Sequence, residues 1–140
     1  GEFSEGLAYV KLIRKYGYID LIGEMVILPQ FDKARDFHGG IAAIKINTGF
    51  FSGLWGFINT KGEQIIPTQY EEVSHFSEGL CAVFKENKWG YINAQNEVVI
   101  PFRFDEADVF EDGRAEVSLY SEDGEEAQFW IDSQGNILED

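Results

Sequence analysis

Apolar and polar side chains alternate in short blocks along this chain, and the same blocks return at nearly regular intervals. Phe-x-x-Gly occurs as FSEG at 3–6, FHGG at 37–40, FSEG at 76–79 and FEDG at 110–113, with starts 34, 39 and 34 residues apart. Downstream of each glycine comes a small residue (Ala8, Ala42, Cys81, Ala115) and, two positions on, a β-branched one (Val10, Ile44, Val83, Val117). That is the alternation of a half-buried strand. YGYID at 16–20, WGFIN at 55–59, WGYIN at 89–93 and QFWID at 128–132 predict a second strand with isoleucine always in fourth place. Each ends in Asp or Asn and runs into a turn former, as in DLIGE, NTKGE, NAQNE and DSQGN. MVILPQFD, QIIPTQYE and VVIPFRFD supply a third short strand, with the proline at or just past its end. No long segment has helical apolar spacing, although FDKARDF and its counterparts have the makings of one helical turn.

The chain therefore reads as one all-β domain, 1–140, of four tandem repeats of about three short strands each: 3–36, 37–75, 76–109 and 110–140, the last truncated. These columns resemble the WG repeat family of bacterial proteins, named for its Trp-Gly pair. The resemblance rests on FSEGLCAVFKENKWGYINAQNEVVIPFRFDEADVF at 76–110 and extends less perfectly over nearly the whole chain. Tyr16 replaces the tryptophan in the first repeat, and Gln128-Phe129 replaces the whole pair in the last. The resemblance implies a tandem array that serves binding or scaffolding, often within a larger protein; it implies no particular ligand and carries over no catalytic residue.

Three short strands bury too little apolar surface to stand alone, so each repeat must cover its face with a neighbour, and terminal repeats are expected to be atypical. An open superhelical or solenoid-like stack is the expected architecture, with a small closed propeller-like ring as the alternative. Trp55, Trp89, Phe57, Tyr91 and Trp130 sit at repeat-defined positions and are expected to be stacked core aromatics. The glycines of both motifs are expected to serve backbone constraint or close approach between repeat units, since none belongs to a phosphate-binding fingerprint.

Subtracting the template leaves the insertions. Six residues separate Val10 from Tyr16 and Val83 from Trp89, but eleven separate Ile44 from Trp55 and Val117 from Gln128. Repeats two and four thus carry lengthened loops or hairpins, places where function gathers. The first insertion, in NTGFFSGL at 47–54, is apolar and holds Phe50, Phe51 and Leu54; strand alternation would bury one of the two phenylalanines and expose the other. The second, in LYSEDGEEAQ, is acidic and holds Tyr120, Glu122, Asp123, Glu125 and Glu126. These eight residues are the candidate partner-binding positions. If both tips lie on one side, a basic segment with an apolar anchor could engage them together.

Charge sharpens that reading. Net charge is −14, and residues 105–140 carry thirteen acids against one base, Arg114. The acidic quarter suits either a solvated cap on the array or an electrostatic site for a basic partner. Eleven dispersed bases offer no footprint for nucleic acid. SEDGEE at 121–126 lacks the ligand spacing of a calcium loop, and no metal or cofactor is expected. His38 and His75 flank Phe-x-x-Gly corners without a nucleophile placed by motif, and Cys81, the lone cysteine, stands in an alanine column; no catalytic residue and no enzyme is read. No apolar run is long enough for a membrane span, and no signal peptide is expected within this fragment, which leaves bacterial cytoplasm and secretion both open. The expected function is a non-catalytic protein- or peptide-binding module belonging to a larger protein. Carbohydrate or cell-envelope binding through exposed aromatics is the alternative, and a purely structural spacer a third.

Overall fold

The computed structural model describes residues 1–48 and 51–138; the side chains of 48, 51 and 52 lie outside the description. Secondary structure among the described residues is entirely β, in four small antiparallel sheets of three or four strands, none closed into a barrel. Two compact units divide the chain, 1–71 and 72–140. Unit 1 holds the sheet β1 (Leu7–Leu12), β2 (Lys15–Asp20), β3 (Met25–Phe31) and the sheet β4 (Lys33–Ala34), β5 (Ile41–Thr48), β6 (Phe51–Asn59), β7 (Gln64–Tyr70). Unit 2 holds β8 (Glu72–Val73), β9 (Cys81–Lys85), β10 (Lys88–Ile92), β11 (Val98–Phe104) and then β12 (Glu106–Ala107), β13 (Arg114–Tyr120), β14 (Glu126–Asp132), β15 (Ile137–Leu138). In each sheet the strands neighbour one another in chain order.

The Phe-x-x-Gly motif is a tight turn at the entrance to the first long strand. Ser4 and Leu7 exchange backbone hydrogen bonds of 2.8 and 3.1 Å across Glu5 and Gly6, whose φ values are both positive, 54° and 78°. That is the geometry of a type I′ turn, which glycine adopts at little cost. The serine and glutamate tie it to the next corner. Ser4 Oγ donates to the Phe37 carbonyl at 2.5 Å, and the Gly40 N–H donates to Glu5 Oε1 at 2.7 Å. In unit 2, Ser77 donates to the Phe110 carbonyl at 2.6 Å and the Gly113 N–H to Glu78 at 2.9 Å.

The glycine of the Trp-Gly pair has a different task. Trp55 pairs with Tyr70 and Phe57 with Ile66, so β7 spends four residues where β6 spends two. The same slip recurs between β2 and β3 and between β10 and β11. The excess bulges over the glycine. A Cβ on Gly56 would stand 2.6 Å from the Ile66 carbonyl oxygen and 2.8 Å from the backbone of Pro67. The close approach is thus between second and third strands of one repeat rather than between repeats. It also moves the proline from the end of the third strand, where the sequence put it, into its middle: Pro29, Pro67 and Pro101 lie within β3, β7 and β11, at the bulge where no ladder donor is required.

FDKARDF forms no helical turn. Asp32 N–H and Arg35 N–H donate to the carbonyls of Lys45 and Ala43, drawing Lys33–Ala34 into β4 alongside β5. The Asp32 carboxylate fixes this edge, accepting from Lys15 Nζ and from the Asn47 N–H, each at 2.7 Å. Those two donors, the backbone N–H foremost, hold its pKa below the usual carboxylate value. Asp105 repeats the arrangement with Lys88 at 2.6 Å and the Tyr120 N–H at 2.7 Å.

Each core draws on both sheets of its unit, as the small size of one repeat requires. Leu7, Tyr18, Ile27 and Phe31 pack with Phe37, Ala42, Ile44 and Ile58 in unit 1. Leu80, Ala82, Tyr91, Ile100 and Phe104 pack with Phe110, Ala115, Val117 and Ile131 in unit 2. The Tyr18 and Phe37 rings meet edge to face at 4.9 Å, and those of Tyr91 and Phe110 at 5.0 Å, a geometry worth about 0.5–1.5 kcal/mol beyond burial. Both tyrosine hydroxyls donate at 2.6 Å, Tyr18 to the Arg35 carbonyl and Tyr91 to that of Asp108. Burial pushes both hydroxyls well above their ordinary pKa.

The aromatic columns divide. Trp55, Phe57 and Tyr91 are buried as expected, but Trp89 and Trp130 are only half-buried. Trp130 occupies the Tyr18, Phe57 and Tyr91 column, yet it pairs with Leu138 in register instead of with a bulged isoleucine. Its ring lies under the Arg114 guanidinium at 4.1 Å. Cys81 is a buried small side chain, as its column suggests, and no helix of the described residues is long and apolar enough to cross a membrane.

Candidate functional site

Both insertions lengthen a hairpin. In unit 1 the β5–β6 hairpin carries Leu54, half-buried and paired with Ile46. Phe51 opens β6, but its side chain, like the whole of Phe50, lies outside the described residues, so the expectation of one buried and one exposed ring falls there too. In unit 2 the β13–β14 hairpin brings five of the candidates to one tip. Tyr120 pairs with Glu126 across it, and Glu122, Asp123 and Glu125 lie in the turn between. Gly124, at φ 81°, closes that turn by donating its N–H to the Ser121 carbonyl. All five side chains are exposed, and Tyr120 retains 45% of its surface.

The tip's electrostatics are uniform in sign. A hydrogen bond to the Glu106 carboxylate, aided by the nearby charges of Glu126 and Asp105, pushes the Tyr120 hydroxyl up to about 12. Glu126 accepts from Ser118 Oγ at 3.3 Å and also from the Gln128 amide. Arg114, the one base of this quarter, is spent at the far end of the hairpin on Trp130.

Beside the acidic tip lies a feature not anticipated from the sequence. Leu119, Phe129, Phe104 and Ile137 line an open cavity of about 470 Å³, with Arg103 at its rim. Register explains its composition. Ala115, Val117 and Leu119 share a face with Ala127, Phe129 and Ile131; this face is core at Ala115, Val117 and Ile131 and opens at Leu119, which is 38% exposed. Phe129 leans on Phe104 edge to face at 6.4 Å, and Arg103 stacks on Phe104 while donating to the Gly135 carbonyl at 2.9 Å. The sequence did carry a signal: Phe129 stands in the column of Gly17, Gly56 and Gly90, and Glu139 in that of the buried Ile27, Ile66 and Ile100. In the sister repeats the third strand runs over the glycine; in the fourth this column holds a phenylalanine.

Elsewhere, the tryptophan faces are engaged from within. The Arg35 guanidinium lies 4.0 Å above the Trp55 ring, and Phe84 packs against Trp89 at 5.3 Å. His38 and His75 are both exposed corner residues. Among the described residues no three or more His, Cys, Asp or Glu side chains converge so as to hold a metal ion.

The model of the WG containing repeat matches residues 16–47, 55–89 and 89–120. No curated protein and no solved structure matches the chain. With three successive repeats matched over more than half of its length, the chain belongs to the WG repeat family.

Proposed function

We propose that this chain is a non-catalytic repeat module that binds a basic protein or peptide segment through the β13–β14 hairpin. One observation carries the reading: exposed Leu119 and Tyr120 adjoin exposed Glu122, Asp123, Glu125 and Glu126 on a hairpin that outruns its sheet. Apolar surface beside a dense patch of one sign supplies both affinity and steering toward a partner of opposite charge. The β5–β6 hairpin of unit 1, residues 47–54, is a second candidate surface of apolar character. Sugar stacking on the tryptophans gains less support, because arginines cover Trp55 and Trp130 and a phenylalanine packs on Trp89.

Fluorescence anisotropy with labelled lysine-rich, neutral and glutamate-rich peptides tests the proposal. The lysine-rich peptide should bind, and more weakly as salt rises. The triple variant Glu122→Lys/Asp123→Lys/Glu125→Lys should lose about tenfold or more in affinity. Equal binding of all three peptides, or a variant that binds as well as the parent, refutes it.

A further inference from the structure

We infer that the basic partner is a second copy of this chain, which docks the tip of its β1–β2 hairpin on the acidic β13–β14 tip of its neighbour; this rests on the function proposed above and names the partner. The β1–β2 tip reads KLIRK at 11–15, so Lys11, Arg14 and Lys15 crowd into one turn of a chain that has eleven bases in all. Lys11 and Leu12 pair with Tyr16 and Lys15, and Ile13 and Arg14 make the turn between. All five side chains of the tip are exposed. Lys15 is tied to Asp32, and Lys11 lies over the Tyr16 ring at 5.6 Å. Arg14 forms no ion pair among the described residues, and its guanidinium is free for a partner.

Ile13 supplies the second argument. It is 98% exposed and holds φ at 61°, a backbone region that penalises a β-branched side chain. The corresponding hairpin of the third repeat turns through Glu86 and Asn87, at φ 52° and 73°, both polar and the asparagine well suited to that region. Neither burial nor conformation favours isoleucine at such a place, whereas an apolar contact made on association does. The β13–β14 tip offers the complement: exposed Tyr120 beside Glu122, Asp123, Glu125 and Glu126, with no base among them. Its turn is closed by its own backbone, Ser121 N–H to the Glu125 carbonyl and Gly124 N–H to the Ser121 carbonyl, so side chains make the contact. Net charge does not oppose it, because residues 1–36 carry six acids and five bases and the docking repeat is close to neutral. Each copy carries one tip of each kind. The contact is therefore heterologous, and it builds open chains unless the angle between copies closes them.

Sedimentation velocity of the intact chain at low and high salt tests the inference. Two hairpin tips make a small interface, so self-association with a dissociation constant on the order of 100 μM is expected at low salt, weakening as salt rises. Lys11→Glu/Arg14→Glu and the triple hairpin variant should each weaken it about tenfold or more. An equimolar mixture of the two should restore it, because the first then carries two acidic tips and the second two basic ones. Both variants stay negative, at −18 and −8 against −14 for the parent, each substitution shifting the charge by two, so recovery in the mixture cannot come from opposite net charge. Ile13→Asn, which keeps every charge, should weaken association about threefold or more. A parent that stays monomeric up to about 1 mM while the lysine-rich peptide binds overturns self-association and leaves the basic-partner reading standing. Association that both charge variants retain, or a mixture that does not recover, likewise overturns the tip contact. A chain that binds neither its own copy nor the lysine-rich peptide overturns both readings.

Discussion

A methyl group in place of the glycine hydrogen at the Trp-Gly position is the sharpest test of what that motif does. On Gly17 it would stand 2.4 Å from the Ile27 carbonyl oxygen and 2.8 Å from the Pro29 nitrogen. On Gly56 the nearest atom is the Ile66 carbonyl oxygen at 2.6 Å, and on Gly90 the Ile100 oxygen at 2.9 Å. Every one of these is a backbone atom in a paired strand, so relief requires moving the bulge by roughly 1 Å at the first two sites and about half that at the third. Overpacking of this kind costs about 1–3 kcal/mol. Against it, alanine reduces the entropy of the unfolded chain and stabilises by about 0.4–1 kcal/mol. The clash wins at Gly17 and Gly56, where a net loss of about 2 kcal/mol is expected, and only narrowly at Gly90, where about 1 kcal/mol or less remains. Urea unfolding of the three alanine variants measures the losses, and hydrogen exchange mass spectrometry assigns each to its unit. If Gly17→Ala is as stable as the parent, or Gly90→Ala is the worst of the three, close strand crossing is not why glycine stands there.

Tyr18→Phe and Tyr91→Phe should each lose about 1–2 kcal/mol in urea unfolding, because the Arg35 and Asp108 carbonyls lose their donor within a packed core; no loss would mean that water serves those carbonyls equally well. Ile13, 98% exposed, holds φ at 61°, a strained setting for a β-branched residue, so Ile13→Asn should raise the thermal midpoint by an amount equivalent to about 1 kcal/mol, and an unchanged midpoint would refute the strain. Asp32 and Asp105 are held below the usual carboxylate pKa, so the unfolded chain binds more protons than the folded one as the pH falls. Their stabilisation is full above the unfolded value near 4 and is lost as the pH falls through the lower, folded-state value. The Asp32→Asn/Asp105→Asn double variant should accordingly show a shallower fall of the urea midpoint in acid, and an identical slope would refute it.

The long strands were legible because period-two alternation and turn formers fixed them locally, and the extra residues of repeats two and four, found by subtraction, do lengthen hairpins. The two-residue strands were not legible. Lys33–Ala34, Glu72–Val73 and Glu106–Ala107 contain no alternating run, and their place is set by partners in the next strand, as when Asp32 catches the Asn47 N–H. The division of labour between the two glycine columns was also hidden, because positive φ and close crossing leave the same letter in a sequence. At the candidate site, the acidic residues announced themselves by composition. Leu119 and Phe129 did not, because their importance lies in what a neighbouring column lacks: an isolated phenylalanine looks like core until its counterparts are seen to be glycine.

The ties between corners carry a consequence for how such a gene can grow. Ser4, Glu5, Lys15, Tyr18 and Asp32 have counterparts 73 positions later in Ser77, Glu78, Lys88, Tyr91 and Asp105, and their hydrogen bonds span the same intervals in both units. Repeats two and four carry His-Gly and Glu-Asp where these carry Ser-Glu. Copying or deleting a pair of repeats therefore keeps each donor with its acceptor, whereas recombination within a pair can join two corners neither of which carries the Ser-Glu pair. Inheritance in twos is the expected signature, and designed longer arrays should be spliced between residues 71 and 72 rather than at the nearest Trp-Gly.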